Sequence, residues 1–496
     1  MNLKKSYIVL LMVAALLLGA VGSYVGVQLA KPDGSNSATD SGQSNTEESR
    51  FMELSDKEQQ QLLNSMEEMS KVLQAHSLIK DNYLEKVDDQ QLIEGAVQGM
   101  LDTLEDPYSV YMDKETVEEF NHQIESSFEG IGAEVSMVDG KVTIIAPIKD
   151  SPAEDAGLKP NDQILKVNNE SVEGLDLYDA VSKIRGEQGT KVTLEIDRPG
   201  VTDPLTIELV RDDIPLETVY SNIEEVDGKK AGVIEITSFS ENTAKRFKEE
   251  LTALEKEGIE GLVIDVRGNP GGLLPSVEEI LKNFVTKDQP YVQIEDREGK
   301  KSRYFSELEE AKDYPVSVLI DEGSASASEI LAVAMKEAQG YEIVGTTSFG
   351  KGTVQQTVPM GDGSTIKLTL YKWLSPEGNW IHEKGVKPTI SVKQPDYFYT
   401  NPIQIEEPLT YNQSNEKIKN AQKMLKGLGY NLDREDGFFS QETVNAVKQY
   451  QQDQNLEVTG EINKQTAERL QASIIEKITS GENDKQKEKA LEVLFQ

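Results

Sequence analysis

Gly261-Leu262-Val263-Ile264-Asp265-Val266-Arg267-Gly268-Asn269-Pro270-Gly271-Gly272 is the stretch on which the fold turns. Its first half is an apolar run bounded by turn residues, the pattern of a strand buried on both faces. Its second half is too rich in glycine and proline to continue that strand, and a helix is predicted from about Leu273 to Phe284. The same order recurs downstream. Val316-Ser317-Val318-Leu319-Ile320 reads as a strand, Asp321-Glu322-Gly323-Ser324-Ala325-Ser326 as its loop, and Ile330-Leu331-Ala332-Val333-Ala334-Met335 as the apolar start of a buried helix. Upstream, Gly232–Ile236 is strand-like and Asn242–Lys256 amphipathic. Such repeats predict an α/β core with both loops at the carboxyl ends of core strands, where open α/β sheets bind their ligands.

A chain of 496 residues is long enough for about three or four domains. Its net charge of −36 argues against a nucleic-acid partner, since displacing phosphate counterions takes clusters of Lys and Arg. The absence of cysteine excludes disulfides, thiolate nucleophiles and Cys-based metal sites. No cofactor or metal is expected.

Lys4 and Lys5 precede an apolar run from Tyr7 to about Ala30, long enough to span a bilayer. Residues 1–32 thus read as a signal or membrane anchor, 33–50 as a flexible tether, and the body as extracytoplasmic, anchored or secreted. The region 51–115 is helical, with Leu62, Met66, Met69, Leu73 and His76 at spacings of four and three. That stripe suits either packing on the chain's own body or a homodimer seam, with His76 as a packing residue.

From 116 to 200 the texture changes to short strands, Val142–Ile145, Gln163–Val167 and Val192–Ile196, with a helix from Leu177 to Ile184. Ahead of them Gly130-Ile131-Gly132-Ala133 frees a run of backbone N–H groups to point one way, a nest for a carboxylate beside a strand that can accept an added peptide strand. With Ser151-Pro152-Ala153 and Ile184-Arg185-Gly186, the segment resembles a PDZ domain, which implies capture of peptide C-termini. Arg185, at the helix end, is a candidate for reporting peptide occupancy to the catalytic core. The core spans 201–400, and the compact helical pattern of 401–480 resembles a peptidoglycan-binding-like domain, which implies cell-wall contact. The segment 481–496 reads as a frayed polar tail ending in Leu491–Gln496, the remnant of a protease-cleavage tag.

Ser326 needs a partner to take its proton. Of the three histidines, His76, His122 and His382, none lies in a glycine-framed loop, whereas Lys351 does, in Phe349-Gly350-Lys351-Gly352-Thr353. An ammonium titrates near 10.4 in water, so a lysine base requires surroundings that disfavour its charge. Strand periodicity from Thr353 to Thr357 puts Gln355 on the face of Lys351, where it can orient the amine. Gly271-Gly272 and the Ala327 N–H offer oxyanion donors. Each piece also has a plainer reading. Ser326-Ala327-Ser328-Glu329 fits a capping box, and the glycine loop could cradle a phosphate or coenzyme A, although it lacks the usual glycine spacing.

Together, Phe128-Glu-Gly-Ile-Gly132, Arg267-Gly-Asn-Pro-Gly-Gly272, Ser324-Ala-Ser-Ala-Ser-Glu329 and Gly350-Lys-Gly-Thr-Val-Gln-Gln356 resemble the C-terminal processing peptidases, or tail-specific proteases, over about Glu94 to Ile390. The resemblance implies a multidomain α+β protein with a ClpP/crotonase-like core and an inserted PDZ domain. It implies Ser326 as nucleophile, Lys351 as general base, Gln355 as its positioner, and Ala327 with Gly271 or Gly272 as the oxyanion hole. The implied substrates are proteins or peptides with free C-termini. The terminal segments resemble Bacillus-type members, which act outside the cytoplasm in regulated proteolysis and can be dimeric and substrate-activated. A catalytically silent PDZ and wall-binding scaffold is the alternative from another class.

Overall fold

A computed structural model of the chain describes residues 56–496 other than 125–126, 139, 149–150, 176, 200, 202 and 404, and for 56–67, 119, 122–124 and 178 the backbone alone. The apolar segment, its tether and the side chains of Leu62, Met66 and His122 lie outside the described residues. No helix among the described residues is long and apolar enough to cross a membrane. The chain divides into two compact units, one made of the N-terminal region to Asn121 with Val354–Tyr371, the other of His122–Thr353 with Lys372–Gln496.

In the first unit, helix Asp56–Asn82 is followed by helix Asp89–Asp102, whose start is fixed by Asp88 accepting from the Gln90 and Gln91 N–H groups (2.9 and 3.1 Å). Met69, Leu73 and Ile79 of one helix and Ile93, Val97 and Met100 of the other line an apolar groove of about 520 Å³. Strand Val110–Met112 pairs antiparallel with Thr365–Lys367, so the segment after Lys351 belongs with this N-terminal unit and not wholly with the core.

The second unit is built on a six-stranded sheet in the order Val219–Val226, Lys229–Ile236, Gly261–Asp265, Val316–Ile320, Glu342–Gly345 and Ile390–Ser391. The first strand is antiparallel to its neighbour and the rest are parallel, as the strand–loop–helix repeats predict. Gly261–Asp265 and Val316–Ile320 are buried at every position. Strand alternation explains why both of their faces are apolar. Val233, Val263, Leu319 and Val344 form one packed layer, and what covers it is helix Lys485–Leu494, through Ala490 and Leu494.

That helix corrects the expectation of a frayed tail. Ala490 is wholly buried, Ser317 donates to its carbonyl (3.2 Å), and a Cβ on Gly261 would come within 3.1 Å of Leu494. Leu494 and Phe495, which pack on the same face, fall within the Leu491–Gln496 stretch read as a tag remnant, whereas Ala490 precedes it.

The PDZ-like module is a sheet ordered Ala133–Val138, Lys141–Pro147, Gln163–Val167, Lys191–Asp197 and Leu205–Val210, closed by helix Leu177–Ile184. It therefore runs beyond the expected limit at 200, because Leu205–Val210 pairs along Lys191–Ile196. A separate pair, Ser127–Gly130 with Asp212–Pro215, joins its two ends. The helices Glu416–Gly427, Gln441–Asp453 and Lys464–Thr479 form the C-terminal module around Ile418, Leu425, Phe439, Val447, Tyr450 and Leu470. Asn415, Ser440 and Asn463 cap the three helices.

Candidate active site

Ser326 stands where strand Val316–Ile320 and its loop meet helix Ala327–Gln339. Its φ of 53° and ψ of −109° are strained for a residue with a side chain, at a cost of about 1–3 kcal/mol. An ordinary N-cap is extended, so capping alone does not account for this backbone. Several bonds hold it in place. Ser324 Oγ donates to Val266 O (2.8 Å), Ser328 Oγ to Asn269 O (2.9 Å), and Ala325 N–H to Asn269 O (3.0 Å), which sews the serine loop to the glycine loop.

Glu329 supplies a further tie. It is wholly buried, and its carboxylate accepts from the N–H groups of Ser326 (2.9 Å), Gly350 (2.6 Å) and Lys351 (2.7 Å) and from Ser348 Oγ (2.6 Å). One oxygen, Oε2, thus joins the backbones of Ser326 and Lys351. Sequence reading took Glu329 only as half of a capping box. That half is formed, and the same side chain also ends the lysine loop.

The lysine loop is clamped from its other side by aromatic residues. Trp373 Nε1 donates to Lys351 O and Trp380 Nε1 to Gly352 O, both at 2.8 Å. His382, stacked on Trp380 with ring centres 5.1 Å apart, accepts the Gly352 N–H at Nδ1 (3.3 Å). His382 therefore braces the loop that carries Lys351. The glycine frame has a steric cause, since a Cβ on Gly352 would lie 2.8 Å from His382 N and one on Gly350, at φ 97°, 3.0 Å from Gly385 N. Lys351 itself is half-buried.

In the glycine loop, Asn269 is wholly buried and donates to Ile236 O (2.8 Å) while accepting the Gly271 N–H (2.8 Å). Gly271 is thereby engaged within its own loop. The N–H groups of Gly272 and Ala327 have no acceptor among the described residues. Gly272 adopts φ 145° and a Cβ on it would fall 2.2 Å from Phe239 O, while one on Gly271 would fall 2.8 Å from Ser326 Cβ and 3.1 Å from Ala327 N. The loop thus lies in contact with the serine.

Arg267, at the root of that loop, is buried among carboxylates: desolvation would lower its pKa, but Asp265 and Asp484 raise it well above the usual guanidinium value. Gln355 stands on strand Thr353–Pro359, and its amide donates to Thr369 Oγ1 (3.0 Å). His76 lies in the wall of the N-terminal groove, with Nε2 3.6 Å from Asp89. Among the described residues no group of three or more His, Asp or Glu is placed to hold a metal.

At the PDZ-like edge, Gly132 has φ 74° and would clash with Ser151 if it bore a Cβ, 2.3 Å away. Its carbonyl accepts from Ile148 N–H (2.8 Å) and Ser151 Oγ (2.9 Å), and Ile131 O accepts from Ala153 N–H (2.7 Å). Ala133 begins the first strand of the sheet. The Arg185 guanidinium lies over the Phe128 ring at 5.1 Å, and its stem is 3.8 Å from the position of a Cβ on Gly130. The structure thus puts Arg185 beside the Gly130–Ala133 edge.

Four family models match the chain: peptidase family S41 over residues 230–392, the activating protease CtpB N-terminal domain over 16–116, a PDZ domain over 143–198 and a putative peptidoglycan binding domain over 414–470. The chain is 53% identical over 483 residues to the carboxy-terminal processing protease CtpB of Bacillus subtilis (strain 168), covering 97% of each. It is 43% identical over 424 residues to the carboxy-terminal processing protease CtpA of the same strain, covering 86% of this chain and 90% of that one. A similar solved structure is a photosystem II D1 C-terminal processing protease, 25% identical with a TM-score of 0.43 over 76% of this chain and 93% of that one.

Proposed function

Since the chain belongs to peptidase family S41, among the carboxy-terminal processing serine proteases, we propose that it cleaves polypeptides with a Ser326–Lys351 pair. The observation that carries this reading is the shared Glu329 oxygen, which holds the backbones of the serine and the lysine at one point. Lys351, neutral when it acts, takes the Ser326 proton as the hydroxyl oxygen bonds to the scissile carbonyl carbon. Gly272 and Ala327 N–H receive the oxyanion, in place of Gly271, whose N–H is held by Asn269. The amine leaves with the proton from Lys351, and a water activated by the same lysine hydrolyses the acyl-enzyme. Gln355 is assigned to orient Lys351.

Substrates enter by a free C-terminus or unstructured end, whose carboxylate meets the Gly130–Ala133 edge and whose strand adds to the PDZ sheet. Arg185, beside that edge, is assigned to pass the signal of occupancy on and so gate the site. The enzyme works outside the cytoplasm in regulated proteolysis, tethered by its N-terminal apolar segment or secreted, as a homodimer whose seam is the N-terminal groove. The C-terminal module contacts the cell wall.

Incubation with an unstructured protein substrate, read by mass spectrometry of new termini, tests the pair. Ser326→Ala and Lys351→Ala should each lower cleavage by about 10³-fold or more while leaving circular dichroism unchanged. Ser326→Ala should also abolish fluorophosphonate labelling, measured with peptide present. Undiminished cleavage by Ser326→Ala would overturn the assignment and favour a scaffold.

A further inference from the structure

The peptidase family match ends at residue 392 and the peptidoglycan-binding match at 470, so neither reaches the segment after 480. We propose that this segment completes the protease, with Asp484 as a positioning residue that acts through Arg267 on the loop bearing the oxyanion donors. The inference rests on the reading of Gly272 as one of those donors.

All five N–H bonds of the Arg267 guanidinium are used. Nε and Nη2 donate to the Asp265 carboxylate (2.9 and 2.6 Å), Nη1 and Nη2 to the Asp484 carboxylate (2.9 and 2.8 Å), and Nη1 also to Gln486 Oε1 (3.2 Å). Half of this fork is local, because Asp265 ends the same strand. The other half comes from 217 residues away.

Asp484 is itself fixed. It accepts from Gln394 Nε2 (2.6 Å) and from the Lys487 N–H (2.9 Å), and Gln486 donates to Val392 O (2.9 Å). Its element is seated independently by Ala490, wholly buried in the outer layer of the sheet with Ser317 donating to its carbonyl (3.2 Å), and by Lys487 on Glu224 (2.6 Å). A rigid helix start therefore holds the guanidinium from outside, and the guanidinium holds the first residue of a loop that goes straight on to Gly271 and Gly272.

Between Arg267 and the glycines, the two residues that follow the guanidinium each donate one bond from the backbone N–H. Gly268 N–H donates to Asp321 (2.8 Å) and Asn269 N–H to Val266 O (3.3 Å). Loss of Asp484 would leave a buried guanidinium with two unmet N–H bonds, which would turn toward other acceptors and shift the loop root. An oxyanion donor works only within a few tenths of an ångström, and losing one outright costs on the order of 10²–10³ in kcat. A loosened donor should cost about tenfold.

The experiment compares wild type with Asp484→Asn, Asp484→Glu, Arg267→Lys, the Asp484→Asn/Arg267→Lys double variant and Lys487→Ala, below the melting transition of each. The expected result is an Asp484→Asn kcat about tenfold lower with KM within twofold, and partial recovery in Asp484→Glu. The double variant should be no worse than the poorer single variant, as for two residues acting in one unit. Lys487→Ala, which loosens the same helix away from Arg267, should keep its kcat. An unchanged kcat in Asp484→Asn, additive losses in the double variant, or an equal loss in Lys487→Ala would each overturn the proposal. Ser326→Ala serves as the separate control. Activity surviving in that variant would sink the active-site reading itself, whereas a Ser326-dependent enzyme indifferent to Asp484 would sink this inference alone.

Discussion

Glu329 is a buried carboxylate with four donors, three of them backbone N–H groups of the two loops that carry Ser326 and Lys351. Hydrogen bonds to a charged acceptor are about twice as strong as neutral ones. A carboxamide offers one acceptor oxygen and turns an NH₂ group toward donors. Glu329→Gln should therefore destabilise the protein by about 2–4 kcal/mol, as expected when a buried ionised partner is lost. It should also lower kcat by about 10²-fold, as for a misplaced nucleophile and base. Urea unfolding and steady-state kinetics measure the two effects, and a variant with wild-type kcat would remove Glu329 from the positioning of the pair. Ser326 and Lys351 stand out as candidates in the sequence by a small-residue loop and a glycine frame. Glu329's second role was not legible there, because its partners in the lysine loop lie 19 to 22 residues away and meet it only once strand Glu342–Gly345 returns beside Val316–Ile320.

At the scale of the element, helix Lys485–Leu494 shows how a segment can be misread when only its own pattern is considered. Its first five residues, Lys485 to Lys489, are all polar or charged, and its apolar residues, Ala490, Leu491, Val493 and Leu494, come only in its second half. The sheet it covers was read correctly as apolar on both faces, and that reading already required two coverings. The latch at its start is pH-sensitive. Burial pushes the Asp484 carboxyl up, but the bonds and charge of Arg267, with the Lys487 N–H and Gln394, outweigh it and hold the group below its ordinary value. A carboxyl lowered in the folded state stabilises fully above its unfolded pKa of about 3.9 and loses that contribution as pH falls through the folded value. The melting temperature of wild type should exceed that of Asp484→Asn near neutral pH, and the gap should close below about pH 4. A gap constant from pH 7 to pH 2.5, read by circular dichroism, would show that the charge of Asp484 plays no part.

Over the whole molecule, four structural parts were legible in order: the N-terminal helices, the PDZ-like module, the α/β core with its repeat of strand, loop and helix around the site, and the C-terminal helical module. Val72, Leu73, Ile79, Ile93 and Met100, between 37% and 54% exposed, leave the N-terminal groove open in a single chain. For the proposed homodimer, Leu73→Lys with Ile93→Lys should halve the mass measured by light scattering, since a charge on a buried apolar seam costs several kcal/mol. A dimer that persists in this variant would place the seam elsewhere. What the sequence determined by itself is local: periodicity of 2 or 3.6 reports which faces must be buried, and glycine or proline reports where the chain must turn. What only the tertiary structure decided is which distant groups meet. Glu329 joins the serine and lysine loops, His382, Trp373 and Trp380 brace the lysine, Asn269 withdraws Gly271 and leaves Gly272, and Asp484 closes on Arg267. Those contacts depend on the stacking order and register of a parallel sheet, whose neighbouring strands are joined through long crossovers. No local pattern encodes which residues such crossovers bring together.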